Sequence, residues 1–221
     1  MMSNFEKERI VTFTADGLQR YGIVVDSGIV DLSVKFPEYT NLRQVIEAGK
    51  LASLARNEKN SPTDFYNNEF RYDIPIPFPE KIICVGVNYP ARNEEYKDGS
   101  DAPLNPSLFI RFPGSFVGHQ ENIIRPLESK MLDYEGEVTI IIGKGGRRIP
   151  EGSAYDHIAG LTLCNEGTLR DWVRHAKFNV TQGKNFESSG SMGPWIVPFL
   201  DSNQIDGIEL ETRVNGEVRQ K

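Results

Sequence analysis

Glu135 and Glu137 stand two residues apart in Asp133-Tyr134-Glu135-Gly136-Glu137-Val138-Thr139-Ile140-Ile141-Ile142-Gly143, and the β-branched run after them marks a strand. On a strand, side chains two apart share a face, so the carboxylates project the same way, about 7 Å apart at the backbone. Like charges so placed need water, a proton or a cation between them. Gly136, between them, lets another backbone approach closely. A solvated strand end fits the same pattern. A third acid, Glu166, falls where an apolar strand, Leu161-Thr162-Leu163-Cys164, runs into a small-residue turn at Asn165 to Thr168. A helix carrying Leu169, Trp172 and Val173 is expected to follow. The other reading of Glu166 is an i,i+4 ion pair with Arg170, worth about 0.2–0.5 kcal/mol.

Three carboxylates with no histidine pair at ligand spacing favour a hard ion, Mg²⁺ or Mn²⁺, over zinc. His119, His157 and His175 are far apart in sequence and read as structural. Lys184, in Thr181-Gln182-Gly183-Lys184-Asn185-Phe186, is a group that near a metal site can stabilise a developing enolate or bind a carboxylate. Taken alone, a lysine is usually solvated.

The elements that must position these groups fall into two parts. Residues 1–73 read as a small α+β unit: strands at Val11–Thr14, Arg20–Val25 and Ile29–Leu32 separated by turns at Asp16-Gly17 and Asp26-Ser27-Gly28, then a helix with Leu42, Val45 and Ile46 on one face and Gly49 as its stop. No titratable cluster stands out there, and docking or oligomerisation is its expected role. Residues 74–80 carry three alternating prolines and read as an extended connector. Residues 81–221 form the second part. It opens on Lys81–Val87, an apolar run expected to be a strand buried on both faces. The polar stretch Asn88 to Pro106 is long for a loop, as lids and binding segments often are.

The 221-residue chain is 38% hydrophobic and 10% aromatic, enough for a packed core, and carries a formal charge of −6. That balance argues against nucleic acid as a general partner, and no apolar run is long enough to span a bilayer. The charged N-terminus lacks the apolar core of a signal peptide. The expected setting is cytoplasmic, with Cys84 and Cys164 as buried free thiols.

In order along the chain, K-I-I-C-V-G-V-N-Y, P-S-L-F-I-R, D-Y-E-G-E, A-G-L-T-L-C-N-E-G-T-L-R-D, Q-G-K-N-F, G-P-W and V-N-G-E-V-R-Q resemble the catalytic domain of the fumarylacetoacetate hydrolase family from about Lys81 to the last residue. The resemblance implies an α+β fold built on a mixed β-roll, a homodimer, and Mg²⁺ or Mn²⁺ held by three acidic side chains. The family's E-x-E pattern falls on Glu135 and Glu137, the arginine of its N-D-x-S-x-R-D pattern on Arg170, and its metal-site lysine on Lys184.

Three departures stand out. The third ligand is normally aspartate; here it is Glu166, one methylene longer. The lid pattern N-Y-x-x-H-x-x-E falls on Asn88 to Glu95, with Glu95 present but Arg92 in the histidine position. Arginine does not act as a base near neutral pH, so histidine-based water activation is not expected, and Arg92 is suited to a distal carboxylate instead. The family also continues past V-N-G-E-V-R-Q with a helix and a Gly/Thr-rich strand segment, so the C-terminal part of the catalytic domain is expected to be missing from these 221 residues. The implied substrate is a small 2-oxo acid, its oxo and carboxylate oxygens chelating the metal. The expected reaction is isomerisation or decarboxylation of an unsaturated 2-oxo diacid from aromatic-compound catabolism. Carbon–carbon hydrolysis of an acylpyruvate such as fumarylpyruvate or fumarylacetoacetate stands close behind. A non-catalytic metal-binding scaffold is the reading from another class.

Overall fold

The computed structural model describes residues 8–86, 88–89, 105–175 and 179–221. Strands β1 (Ile10–Ala15), β2 (Leu18–Val25), β3 (Gly28–Asp31), β4 (Phe65–Tyr66) and β5 (Arg71–Tyr72) form an antiparallel sheet in the order β4-β3-β2-β1-β5. Helices α1 (Leu32–Lys35), α2 (Leu42–Glu47) and α3 (Leu51–Glu58) lie between β3 and β4. Leu32, expected to end a strand, instead opens α1, because the Asp31 carboxylate accepts from the Ser33 backbone N–H and caps the helix. The sheet is buried on both faces. Ile10, Ile23 and Val30 join a cluster with Leu42, Val45, Ile46 and Leu54, while Val11, Phe13 and Ala15, of opposite parity on β1, pack with Phe65, Phe70 and Trp195.

A second, mixed sheet runs β10 (Gly136–Ile142), β11 (Ile158–Asn165), β13 (Gly190–Met192), β8 (Phe116–Val117), with β14 (Val197–Pro198) also on β11. Its β13–β8 pair is parallel and the rest antiparallel. Short ladders complete the described structure: β6 (Ile83–Gly86) with β7 (Ser107–Ile110), β9 (Leu132–Asp133) with β12 (Thr168–Leu169), and β15 (Thr212–Val214) with β16 (Glu217–Gln220). The chain is thus α+β. Among the described residues, no helix is long and apolar enough to cross a membrane.

The core sets the direction of the acidic side chains. Ile141 of β10 and Ile196 beside β14 belong to the same apolar cluster as Ile10 and the helices, and Ile10 and Ile196 exchange both backbone hydrogen bonds at 2.9 and 2.7 Å. Ile141 and Glu137 are four apart on one strand and so share a face. Burying Ile141, worth about 1.5–3 kcal/mol, therefore holds Glu137 on the face toward the cavity, and a one-residue slip would turn both away.

The Lys81–Val87 run differs from its expectation. Among the described residues β6 pairs only with β7, in the register Ile83↔Ile110 and Val85↔Leu108. Those four side chains share one face and are 45–61% exposed, while Cys84 and Phe109 turn inward. Apolar composition alone does not separate a two-face-buried strand from a hairpin with one open apolar face; Val87 lies outside the described residues.

Candidate metal centre and its cavity

The segments 131–142 and 158–170 run antiparallel along most of their length, from Met131 and Arg170, joined by a 3.0 Å backbone bond, to Ile142 and Ile158. Regular pairing lapses at Tyr134-Glu135 and Glu166-Gly167, and both glutamates stand there. The break is held by two local bonds: the Glu166 N–H donates to the Glu135 carbonyl at 2.7 Å, and the Glu135 N–H donates to the Asn165 side-chain oxygen at 3.0 Å. The result brings oxygen atoms of Glu135, Glu137 and Glu166 within 4.8 Å of one another.

Two cations close on this group. Lys184 Nζ donates to Glu135 Oε2 at 2.6 Å and lies 3.2 Å from Glu166 Oε1; it is 5% exposed, far from the solvated lysine of the plainer reading. Arg170 donates through Nε to Asp133 Oδ2 and through NH1 to Glu135 Oε1, both at 2.8 Å, rather than pairing with Glu166 along a helix. Leu169 pairs with Leu132 in β12, so helix α4 (Arg170–His175) starts one residue later than the apolar spacing suggests. Thr168 Oγ1 donates to Glu135 Oε1 at 3.0 Å. Asp133 and Thr168 were not evident as site residues from motifs, although Asp133 continues the every-second-residue acidic pattern of 133, 135 and 137.

Lys184 ends a short helix, α5 (Thr181–Lys184), that lies directly on β12 and α4. The contact needs Gly183, since a Cβ there would collide with Val173 and sit 2.7 Å from the Leu169 carbonyl oxygen. Gly183→Ala is therefore expected to lower unfolding free energy by about 1–3 kcal/mol, the cost of overpacking, read by chemical denaturation. An unchanged midpoint would show that α5 has slack to move.

Charge in the cluster is unevenly compensated. Burial pushes the Glu135 carboxyl up, but Lys184 and Arg170, with the hydrogen bonds from Lys184 and Thr168, outweigh it and hold it below the ordinary carboxylate range. Glu137 is pushed up to about 7 by burial and, against a hydrogen bond from Tyr89, by the charges of Glu135 and Glu166. Glu166 is also raised, chiefly by burial, despite Lys184. Its Oε1 is buried, and among the described residues only the ion-pair approach of Lys184 Nζ at 3.2 Å reaches it. Three converging carboxylates, one with a buried oxygen met only by Lys184, suit a small dication, and an all-oxygen donor set suits a hard one. Cys84 is the soft group nearby, and in the metal-free protein burial and the neighbouring Glu166 push its thiol up to about 12. Cys84 and Cys164 are both free.

The cluster lines a cavity of about 610 Å³. Val85, Phe109, Val138 and Leu210 supply apolar wall, and Arg170, Lys184 and Tyr89 supply polar groups. That size and mixture suit a small organic acid. Arg92 and Glu95 lie outside the described residues.

The family description "Fumarylacetoacetate (FAA) hydrolase C-terminal" matches residues 81–221. An oxaloacetate tautomerase of Bacillus subtilis is 37% identical over 182 residues, covering 80% of this chain and 60% of that protein. A mitochondrial oxaloacetate tautomerase of Rattus norvegicus is 32% identical, covering 96% of this chain and 69% of that one. The chain thus spans well under the full length of these relatives. Among solved structures, a fumarylacetoacetate hydrolase from Exiguobacterium antarcticum superposes with a TM-score of 0.73 at 29% identity, over 96% of this chain and 74% of that one. A maleylpyruvate hydrolase from Sphingobium, solved with manganese(II) and pyruvate, shares the fold with a TM-score of 0.67 at 21% identity, over 86% of this chain and 67% of that one. With its motifs in order, its α+β mixed-sheet fold and these matches, the chain belongs to the fumarylacetoacetate hydrolase family.

Proposed function

We propose that this chain carries the site of a divalent-metal-dependent keto–enol isomerase acting on a small 2-oxo acid of the oxaloacetate type. The observation that supports it most is the convergence of three carboxylates within 4.8 Å, with Lys184 and Arg170 against them, in one cavity of small-acid size. The activity of the named relatives favours tautomerisation over the other reactions open to such a site.

Glu135, Glu137 and Glu166 would hold the ion, Mg²⁺ or Mn²⁺ by the hardness of the donor set. Bound there, a dication supplies Lewis acidity toward the adjacent oxo and carboxylate oxygens of the substrate. The reaction moves one proton: the C3–H bond breaks, its electron pair forms the C2–C3 double bond, and the oxo oxygen takes up a proton, with no net change in atoms. Lys184 lends fixed positive charge where negative charge develops on that oxygen. Arg170, held by Asp133 and Glu135, keeps the Glu135 carboxylate ionised and oriented. In the same proposal the lid residues implied by the family pattern take part: Glu95, the glutamate of its water-orienting pair, and Arg92, suited to a distal carboxylate of the substrate. Assembly as a homodimer belongs to it too, and sedimentation would read it.

The test is interconversion of enol- and keto-oxaloacetate followed by the enol's ultraviolet absorbance, with Mg²⁺ or Mn²⁺ and with chelator. Metal-dependent acceleration without carbon dioxide release is expected. The hydrolase reading is favoured by the Exiguobacterium likeness. Cleavage of an acylpyruvate into two acids, with no effect on oxaloacetate, would put it first. Absence of either reaction, with metal still bound, would leave a binding scaffold.

A further inference from the structure

We propose that Arg111 is a positioning residue that locks the Glu166 turn into register with the other two carboxylates, an inference that rests on the metal site proposed above. Arg111 follows β7 directly and is 2% exposed. Among the described residues its hydrogen bonds all end on neutral oxygens: Nε donates to Ser115 Oγ at 3.1 Å, NH1 to the Gly167 carbonyl at 3.2 Å, and NH2 to the Ser115 carbonyl at 3.4 Å and Ser189 Oγ at 3.3 Å. Its guanidinium also lies over the Phe116 ring, 4.2 Å from the centroid. Burying a cation without a directly paired carboxylate is costly, and an apolar side chain of similar volume would fill the same space more cheaply. The fork must therefore do what an apolar side chain does not.

The fork joins three separate pieces of chain. Gly167 immediately follows Glu166, and it is pressed so closely on β13 that a Cβ there would run into the Ser189 carbonyl. One guanidinium nitrogen thus ties the ligand-bearing turn, another the start of β13, and Nε the turn at Ser115. The residues flanking Arg111 are tied to the other side of the site. Asn185, next to Lys184, accepts from the Phe112 N–H at 2.7 Å and donates to the Ile110 carbonyl at 3.0 Å. Arg111 is consequently the joint between the Lys184 helix end and the Glu166 turn. Glu166 is tied to Glu135 on one side of the turn by the 2.7 Å backbone bond, and Arg111 fixes the other side at the Gly167 carbonyl.

Outer partners that orient a ligand typically matter 10–100-fold to metal affinity. Mn²⁺ binding to the purified full chain, measured by calorimetry well below the unfolding midpoint, is the readout, with chemical denaturation run in parallel. Arg111→Met is expected to weaken Mn²⁺ binding about 30-fold, and Arg111→Lys, which keeps the charge and one or two donors, to fall between it and the unchanged protein. A purely structural role would move the unfolding midpoint and leave Mn²⁺ affinity alone, and that result overturns the inference. If Arg111→Met does not fold, Arg111→Lys and Ser189→Ala decide: wild-type affinity in both overturns the inference, and graded loss supports it. Glu135→Gln is the reference for the site itself. Failure of the unchanged protein to bind Mn²⁺ would overturn the metal reading and the Arg111 inference with it, whereas binding that Glu135→Gln weakens and Arg111→Met does not would sink the inference alone.

Discussion

Glu135→Gln is expected to weaken Mg²⁺ binding by about 10²-fold or more and to take turnover down with it, while the chain still folds. The size follows from how fully this carboxylate is used. Oε2 accepts from Lys184 at 2.6 Å, and Oε1 accepts from Thr168 at 3.0 Å and pairs with Arg170 at 2.8 Å. A neutral amide removes one of the three charges available to a dication. It also points an N–H₂ at one of the two cations, which loses its acceptor, while the other keeps only a neutral oxygen. Removing one member of a buried pair typically costs about 3–5 kcal/mol, so the metal-free variant should also unfold at lower denaturant. Glu137→Gln separates the two effects, because Glu137 has no ion pair among the described residues and is the acid most raised toward neutrality. It should weaken Mg²⁺ binding with little change in metal-free stability. Calorimetry showing unchanged Mg²⁺ binding in Glu135→Gln would remove the site assignment.

How much of this was legible depended on the range over which a pattern acts. Glu135 and Glu137 are in part a local matter: their two-residue spacing beside a β-branched run suggests a shared face, and the buried Ile141 fixes the face of Glu137, but Glu135 stands in the break just before β10 and meets Glu137 through the bonds that hold that break. Glu166 is a long-range matter. Its place at the end of an apolar strand makes it a candidate, but nothing in its own neighbourhood distinguishes a metal ligand from an ion-pair partner of Arg170, and the order of motifs carries the choice. Lys184 looked like any surface lysine except for the glycine before it, and that glycine turns out to be the reason the lysine is buried. Arg111 ends the P-S-L-F-I-R motif, but nothing local shows its role, because its partners are two serines and a glycine carbonyl whose meeting is created by the fold. β6 departs from its expectation for a related reason: a continuous apolar run reports burial on both faces only when a second layer covers the strand, and on the Ile83–Val85–Leu108–Ile110 face no such layer is seen among the described residues.

Lys184→Met is expected to cut kcat by about 10²- to 10³-fold, the range for losing one preorganised electrostatic group, while metal binding holds or tightens. The opposite signs follow from the geometry. Lys184 Nζ contacts two of the three acids, Glu135 Oε2 and Glu166 Oε1, so in the metal-free protein it competes with a dication for the same oxygens. Methionine fills a similar volume, keeps the stem against the Phe109 ring over which Nζ lies at 5.1 Å, and removes the charge. The carboxylates then repel one another more strongly and gain more from an added dication. The developing negative charge on the substrate oxygen, by contrast, loses its fixed cation, and a mobile water does not replace it without reorganising. Calorimetry with Mn²⁺ and enol-absorbance kinetics on one preparation read both signs. Loss of metal binding together with turnover would show that the lysine acts by holding the carboxylates in place. Wild-type kcat with intact binding would reduce Lys184 to a counter-ion and send the search for the group that meets the developing charge to the cavity's other cations among the described residues, Arg170 and Lys221.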